Sequence, residues 1–134
     1  MIDSFSGEYR WLSNFWPCKV TLNGVEYPSV ECAYQAAKSL KTAERIPFQS
    51  ATPSEAKRLG RSLTIRPDWD EVKLGIMEGL LKQKFSNPVL RGKLASTGEE
   101  ELVEGNYWND TFWGVCRGRG ENHLGKLLMK IRAC

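Results

Sequence analysis

Glu31, Gln35 and Lys38 stand four and three residues apart in the stretch "SVECAYQAAKS", residues 29–39. On one short helix those spacings put a carboxylate, an amide and an amine in a single row, the acid and the amine about 10 Å apart along the axis. Val30, Ala33, Ala37 and Leu40 make an apolar face roughly opposite the row. Cys32, Ala36 and Ser39, small and uncharged, occupy a third side and predict packing there as well. A helix covered on most sides turns its few polar groups into a cleft. A helix covered on one side alone turns the same row to water, and the spacing allows both.

A second constellation is "NYWNDTFWGVCRGRGENHLG", residues 106–125. Trp108, Phe112 and Trp113 surround Asp110, and Gly114, Gly118, Gly120 and Gly125 follow with Arg117 and Arg119 interleaved. Glycines ahead of a helix N-terminus let backbone N–H groups approach an anion, aided by the helix dipole and the arginines. Aromatic rings beside such a loop suit a nucleotide, the base on a ring and the phosphates on the N–H groups. A flexible turn with solvated arginines next to a core aromatic cluster fits the same residues. The spacing is not G-x-G-x-x-G, so a dinucleotide fold is not implied.

Lys73 and Lys84 share a side of a longer helical stretch with Met77 and Leu80. Lysines beside an apolar stripe usually lay their stems along it and keep the ammonium in water. Other catalytic patterns find no support. Any Ser-His-Asp or Cys-His arrangement would need His123, the single histidine, and no Walker A, HExxH or EF-hand pattern is present. Cys18, Cys32, Cys116 and Cys134 form no paired spacing, which argues against zinc and for reduced thiols in a cytoplasm. The one tight acidic cluster, Asp68, Asp70 and Glu71, more simply serves a helix N-terminus than a metal. Neither a cofactor nor a metal is expected.

These residues need elements to position them. "FWPCKVTLNGVEYPS" alternates around Asn23-Gly24 and predicts a hairpin of Phe15–Leu22 and Val25–Tyr27. Ser29 caps the helix that follows, with Glu31 in its first turn. "TPSE" at 52–55 predicts a second helix with Thr52 as N-cap, Pro53 at N1 and Glu55 closing a capping box. A long helix is expected from about Asp68 to Phe85, its core stripe made of Trp69, Val72, Ile76 and Leu80. Asn87-Pro88 breaks it and opens "PVLRGKLAS", which Gly98 ends. "ELVEGNYWNDTFWGV" reads as short strand and loop. A last helix, about Asn122 to Arg132, buries Leu124, Leu127, Leu128 and Ile131.

With 134 residues, 41% hydrophobic and 26% charged, the chain has the composition of one globular domain, residues 1–134, of α+β class and mainly helical. The net charge of +3 admits an anionic ligand without demanding nucleic acid, because Lys and Arg form no stripe. No apolar run approaches membrane length and no signal peptide is visible.

The blocks "WLSNF", "YPSVECAYQAAKS", "DWDEVKLGIM…KQKF", "ELVEG", "ND..WG" and "GENHLGKLLMKIR" resemble, in order and spacing, the NADAR family of YbiA-like N-glycosidases, from Phe5 to Arg132. The resemblance implies a YbiA-like domain that hydrolyses an N-glycosidic bond between ribose and a base or amine. The implied substrates are ADP-ribosylated guanine, free or in nucleic acid, or a ribosylamino-pyrimidine of riboflavin synthesis, with no membrane or metal partner. A module that binds ADP-ribose or a nucleotide derivative without cleaving it would carry the same site.

Carried over by position, Lys38 matches the family's lysine, with Glu31 and Gln35 as partners in E-x-x-x-Q-x-x-K. Lys38, Glu31 and Asp110 are the implied catalytic residues. Asn14, Phe15, Gln35, Glu104, Trp113, Gly114, Arg119, Asn122 and Gly125 are the expected ligand-binding ones. Cys32 stands where many relatives carry histidine. The loop after Trp113 is a residue shorter, with Val115-Cys116 in place of a more glycine-rich segment. In the implied mechanism a neutral, desolvated Lys38 intercepts the ring-opened sugar as a Schiff base while Glu31 carries protons.

Overall fold

The computed structural model describes residues 1–134 as two compact units, 14–84 and 1–13 with 85–134. The class is α+β and mainly helical, as expected.

The unit of residues 14–84 opens on the hairpin. Strand β1 (Pro17–Leu22) pairs antiparallel with β2 (Val25–Ser29), Leu22 opposite Val25 and Val20 opposite Tyr27. Asn23 (φ 51°) and Gly24 (φ 79°) both adopt the left-handed conformation that a two-residue turn of type I′ requires. Val20 and Tyr27 are buried. The outer edge of β1 is met by a side chain. Thr21 N–H donates to Gln83 Oε1 at 2.7 Å, and Gln83 Nε2 donates back to Thr21 O at 2.8 Å.

Helix α1 (Val30–Ala36) starts where Ser29 Oγ accepts the Cys32 N–H at 3.1 Å. It stops three residues before Ser39, the expected end. Lys38 N–H donates to Gln35 O and Ser39 N–H to Ala36 O, both at 3.2 Å, so the helical ladder has given way to a tighter turn. The Lys38 carbonyl is taken instead by Arg66 N–H at 2.7 Å. Leu40, assigned to the apolar face, lies beyond this exit and is exposed.

Short helix α2 (Thr42–Arg45) and a 3₁₀ turn over Ile46–Gln49 lead to α3 (Pro53–Leu59). Thr52 and Glu55 form the full capping box. Helix α4 (Trp69–Lys84) matches the expected long helix, with a different stripe. Trp69, Met77, Leu80, Leu81 and Lys84 are buried, whereas Val72 and Ile76 are half-buried. Lys84 does not reach water as a snorkelling lysine would, being 1% exposed.

In the other unit a 3₁₀ stretch over Gly7–Leu12 buries Trp11 and Leu12, and Trp11 meets Phe85 edge-on at 6.4 Å. Helix α5 (Pro88–Ser96) is capped by Asn87 Oδ1, which accepts from Val89 and Leu90 N–H, and Gly98 at φ 63° follows its end. The two-residue strands β3 (Gly105–Asn106) and β4 (Val115–Cys116) pair in parallel. Helix α6 (His123–Arg132) buries Leu124 and Leu128; Leu127 and Ile131 are half-buried. No helix is long and apolar enough to cross a membrane.

Candidate active site

Every residue of α1 is buried, because α3, α4 and both hairpin strands pack around it. Its small side chains are what such crowding needs, and the polar row is not a solvated face. Glu31 and Gln35 are 8% and 5% exposed. Gln35 Nε2 donates to Glu31 Oε2 at 2.6 Å, and the Glu31 N–H donates to Asn14 O at 3.1 Å. The Gln35 amide is the kind of donor a buried carboxylate needs.

Lys38 sits just past the helix end, its Nζ 5.9 Å from the centroid of the Tyr34 ring. Tyr34 in turn packs on Trp69 at 5.1 Å. Loss of water holds the Lys38 amine below the ordinary lysine range. Glu31 pulls its pKa up, and Lys73 and Lys57 push it down. An amine that is easier to deprotonate is a better nucleophile at neutral pH.

The turn carrying Lys38 is pinned by a residue that the sequence did not single out. The Glu44 carboxylate accepts from Ser39 Oγ (2.5 Å), Thr64 N–H (3.0 Å) and Thr64 Oγ1 (2.9 Å). These bonds hold its pKa below the usual carboxylate value. Arg45 Nε donates to Ser39 O at 2.7 Å. No local pattern announces this hub, since Glu44 and Thr64 are twenty residues apart.

Of the other expected ligand residues in this unit, Asn14 is buried and Phe15 is 39% exposed. Asn14 Nδ2 reaches Met77 Sδ at 3.5 Å, and its buried Oδ1 accepts no hydrogen bond. The acidic cluster at the start of α4 is occupied by cations. Arg66 grips Asp68 with two bonds (2.7 and 3.0 Å), and Lys73 reaches Asp70 at 3.2 Å. No three His, Cys, Asp or Glu side chains stand together as a metal would need. All four thiols are free, and burial pushes those of Cys18 and Cys32 up, away from reactivity.

Glu104, Asp110, Trp113, Gly114, Arg119, Asn122 and Gly125 lie in the unit containing 85–134. Here the polar groups hold backbone. Asp110 Oδ1 accepts from Phe112 N–H (3.1 Å) and Trp113 N–H (2.9 Å). Asn106 Nδ2 donates to Asp110 O (2.9 Å) and to Glu104 Oε2 (3.0 Å). Asn122, left-handed at φ 53°, accepts Glu104 N–H at 2.9 Å and donates to Leu102 O at 2.9 Å.

The N–H groups at the start of α6 are not open to an anion. The N–H groups of Glu121, Asn122, His123 and Leu124 are spent on the carbonyls of residues 111–114. The glycines serve close packing. A Cβ on Gly114 would fall 1.9 Å from Glu104 Oε2, and one on Gly125 2.0 Å from Leu102 O. Arg119 is exposed, its backbone paired with that of Cys116. Trp113 is half-buried, stacked edge-on against Phe112 at 4.8 Å with His123 beyond.

Comparison with known proteins identifies the family and the fold. An N-glycosidase of Nostoc punctiforme is 43% identical over 132 residues, covering 92% of this chain and 84% of the relative. A riboflavin biosynthesis protein of Vibrio vulnificus is 35% identical over 130 residues, which span 92% of this chain but 35% of that longer protein. N-glycosidase YbiA of Escherichia coli is 38% identical over 96% of this chain and 83% of its own length. The NMR structure of E. coli YbiA superposes with a TM-score of 0.84, covering 99% of this chain and 85% of that one at 34% identity. The NADAR domain model matches residues 3–134, and the chain belongs to the NADAR family.

Proposed function

We propose that this N-glycosidase hydrolyses the bond between C1 of a ribose and a nitrogen of a base or amine, with Lys38 as nucleophile and Glu31 as proton carrier. The observation that carries the reading is the Lys38 amine itself. It is desolvated against Tyr34, its pKa is lowered, and it lies within the electrostatic reach of a buried carboxylate.

Opening of the ribose ring breaks the bond from C1 to the ring oxygen, which takes up a proton, and leaves an imine between C1 and the base nitrogen. The neutral Lys38 Nζ adds its lone pair to C1, giving a carbon bonded to both nitrogens. Glu31 relays the two Nζ protons, one after the other, to the departing nitrogen. That C–N bond then breaks, releasing the base and leaving C1 as an imine on Lys38. Water adds to this imine and the amine is expelled, returning the sugar with its remaining substituents and unmodified Lys38. The net reaction consumes one water and needs no oxidant. Asp110 shapes the loop that carries Trp113.

The favoured substrate is a guanine bearing ADP-ribose, whose removal reverses the modification. A ribosylamino-pyrimidine is the other candidate, in line with the names of the riboflavin biosynthesis relatives. Incubation with ADP-ribosyl-guanosine, ADP-ribosylated DNA and the pyrimidine side by side, with detection of released base, distinguishes them. Borohydride added during turnover is expected to reduce the imine and fix a sugar on Lys38. Turnover with no trapped adduct would replace the covalent route by direct attack of water.

A further inference from the structure

We infer that Gly60 is a positioning residue for this chemistry, its missing side chain being what lets Gln35 hold the Glu31 carboxylate. This rests on the role proposed for Glu31.

Gly60 follows α3 with φ −59° and ψ −21°, a right-handed conformation open to any residue. Its backbone therefore gives no reason for glycine, which at helical angles costs about 1 kcal/mol relative to alanine. The reason is space. A Cβ on residue 60 would lie 2.0 Å from Gln35 Oε1 and 2.9 Å from Gln35 Cδ. The amide is clamped between two neighbours, Nε2 on Glu31 at 2.6 Å and Oε1 against Gly60.

Reversing the amide would set its oxygen against the carboxylate, so the orientation is fixed. Gln35 Oε1 is buried and accepts no hydrogen bond, and the Gly60 N–H is already committed to Ala56 O. What remains at that end is the space that a Cβ on residue 60 would fill. An unsatisfied buried acceptor costs free energy, and the arrangement keeps it. The gain is a carboxylate oxygen held in one place inside the charge environment of Lys38.

The test compares Gly60→Ala, Gln35→Ala and the double variant with the wild type. The first readout is independent of activity. The wild-type Gln35 side-chain amide is expected to show one low-field, slowly exchanging proton in ¹H–¹⁵N spectra. In Gly60→Ala that proton should move to the position of a free amide and exchange quickly. The second readout is kcat, expected to fall on the order of tenfold or more in each single variant. The double variant should be no worse than Gln35→Ala, because the new methyl enters vacated space.

Unchanged amide protons in Gly60→Ala, or losses that multiply in the double variant, would overturn the inference. If Gly60→Ala does not fold but the double variant does, the clash is demonstrated; if neither folds, Gly60 is structural and the inference fails. A wild type that releases no base from any ribosylated substrate refutes the N-glycosidase reading, and the amide protons still decide the clamp.

Discussion

In residues 14–84 the buried Glu31 and Gln35 side chains bond to each other; in residues 85–134 Asn106, Asp110 and Asn122 bond chiefly to the backbone. Gln35 meets Glu31, and two amide oxygens, Gln35 Oε1 and Asn14 Oδ1, accept nothing. Asn106, Asp110 and Asn122, by contrast, use their side chains to hold a largely irregular chain. The two sets look alike in sequence, each a spaced group of Asn, Asp, Glu or Gln near aromatics. Employment separates them. Groups already used by the backbone form scaffold, and groups held in a costly state have free energy available for chemistry.

The comparison breaks first at Lys38. Lys38→Ala should lower turnover by at least about 1,000-fold while moving the melting temperature little. Alanine suits the helix end, and the cost of desolvating the amine offsets its attraction to Glu31. Lys38→Arg should be as inactive, because a guanidinium stays protonated. In the wild type, turnover should rise with pH through a Lys38 pKa below 10.5, the direction that burial dictates. Base release by Lys38→Ala near the wild-type rate would return this cluster to mere structure.

Asn122 is the converse. Asn122→Ala removes two hydrogen bonds and puts alanine at φ 53°, with an expected loss of roughly 2–4 kcal/mol in urea unfolding. Asn122→Gly restores the backbone freedom alone and should recover about 1 kcal/mol. Activity per folded molecule should survive both. A variant that folds fully and binds substrate poorly would move Asn122 from scaffold to site.

Lys84 sharpens the first region by showing burial without chemistry. Desolvation brings its pKa to about 8, against the ordinary 10.5. Between those two values the unfolded chain holds a proton that the folded chain has lost, so stability rises with pH across that window and is lowest below it. The whole gain is roughly 3 kcal/mol. Lys84→Met should flatten the rise, measured as urea midpoints from pH 7.5 to 10. Equal slopes in the two proteins would place the titration elsewhere.

The smallest effect is expected from chelation. With Asp68 and Asp70 already paired to Arg66 and Lys73, prolonged EDTA should leave activity unchanged. Activity lost to the chelator and restored by Mg²⁺ would send the search for ligands back to that cluster.

What the sequence made legible was local. Asn23-Gly24, Thr52-Pro53 with Glu55, and Asn87-Pro88 specify their turn and caps within four residues, and each stands where expected. The Glu31–Gln35 contact is likewise a four-residue spacing on a helix. The early end of α1 was illegible because the bond that ends it comes from Arg66. Lys84 misled because a helical stripe says which residues share a side, not how deeply that side is covered. The glycines after Trp113 were open between an anion loop and a turn for the same reason. Gly114 and Gly125 answer to Glu104 and Leu102, partners that spacing along the chain does not reveal.

The Gln83 side chain on β1 has a meaning outside catalysis. A two-stranded ribbon leaves a row of open N–H and C=O groups along each flank, and such a row invites a strand from another molecule. By offering one acceptor and one donor to Thr21, the Gln83 carboxamide imitates a neighbouring strand one residue long. Pro17, at the start of the same strand, contributes no N–H at all. The β1 flank is thus a poor template for self-association. The glutamine is a chain terminator for sheet growth, set on a helix where unfolding of the hairpin alone does not remove it.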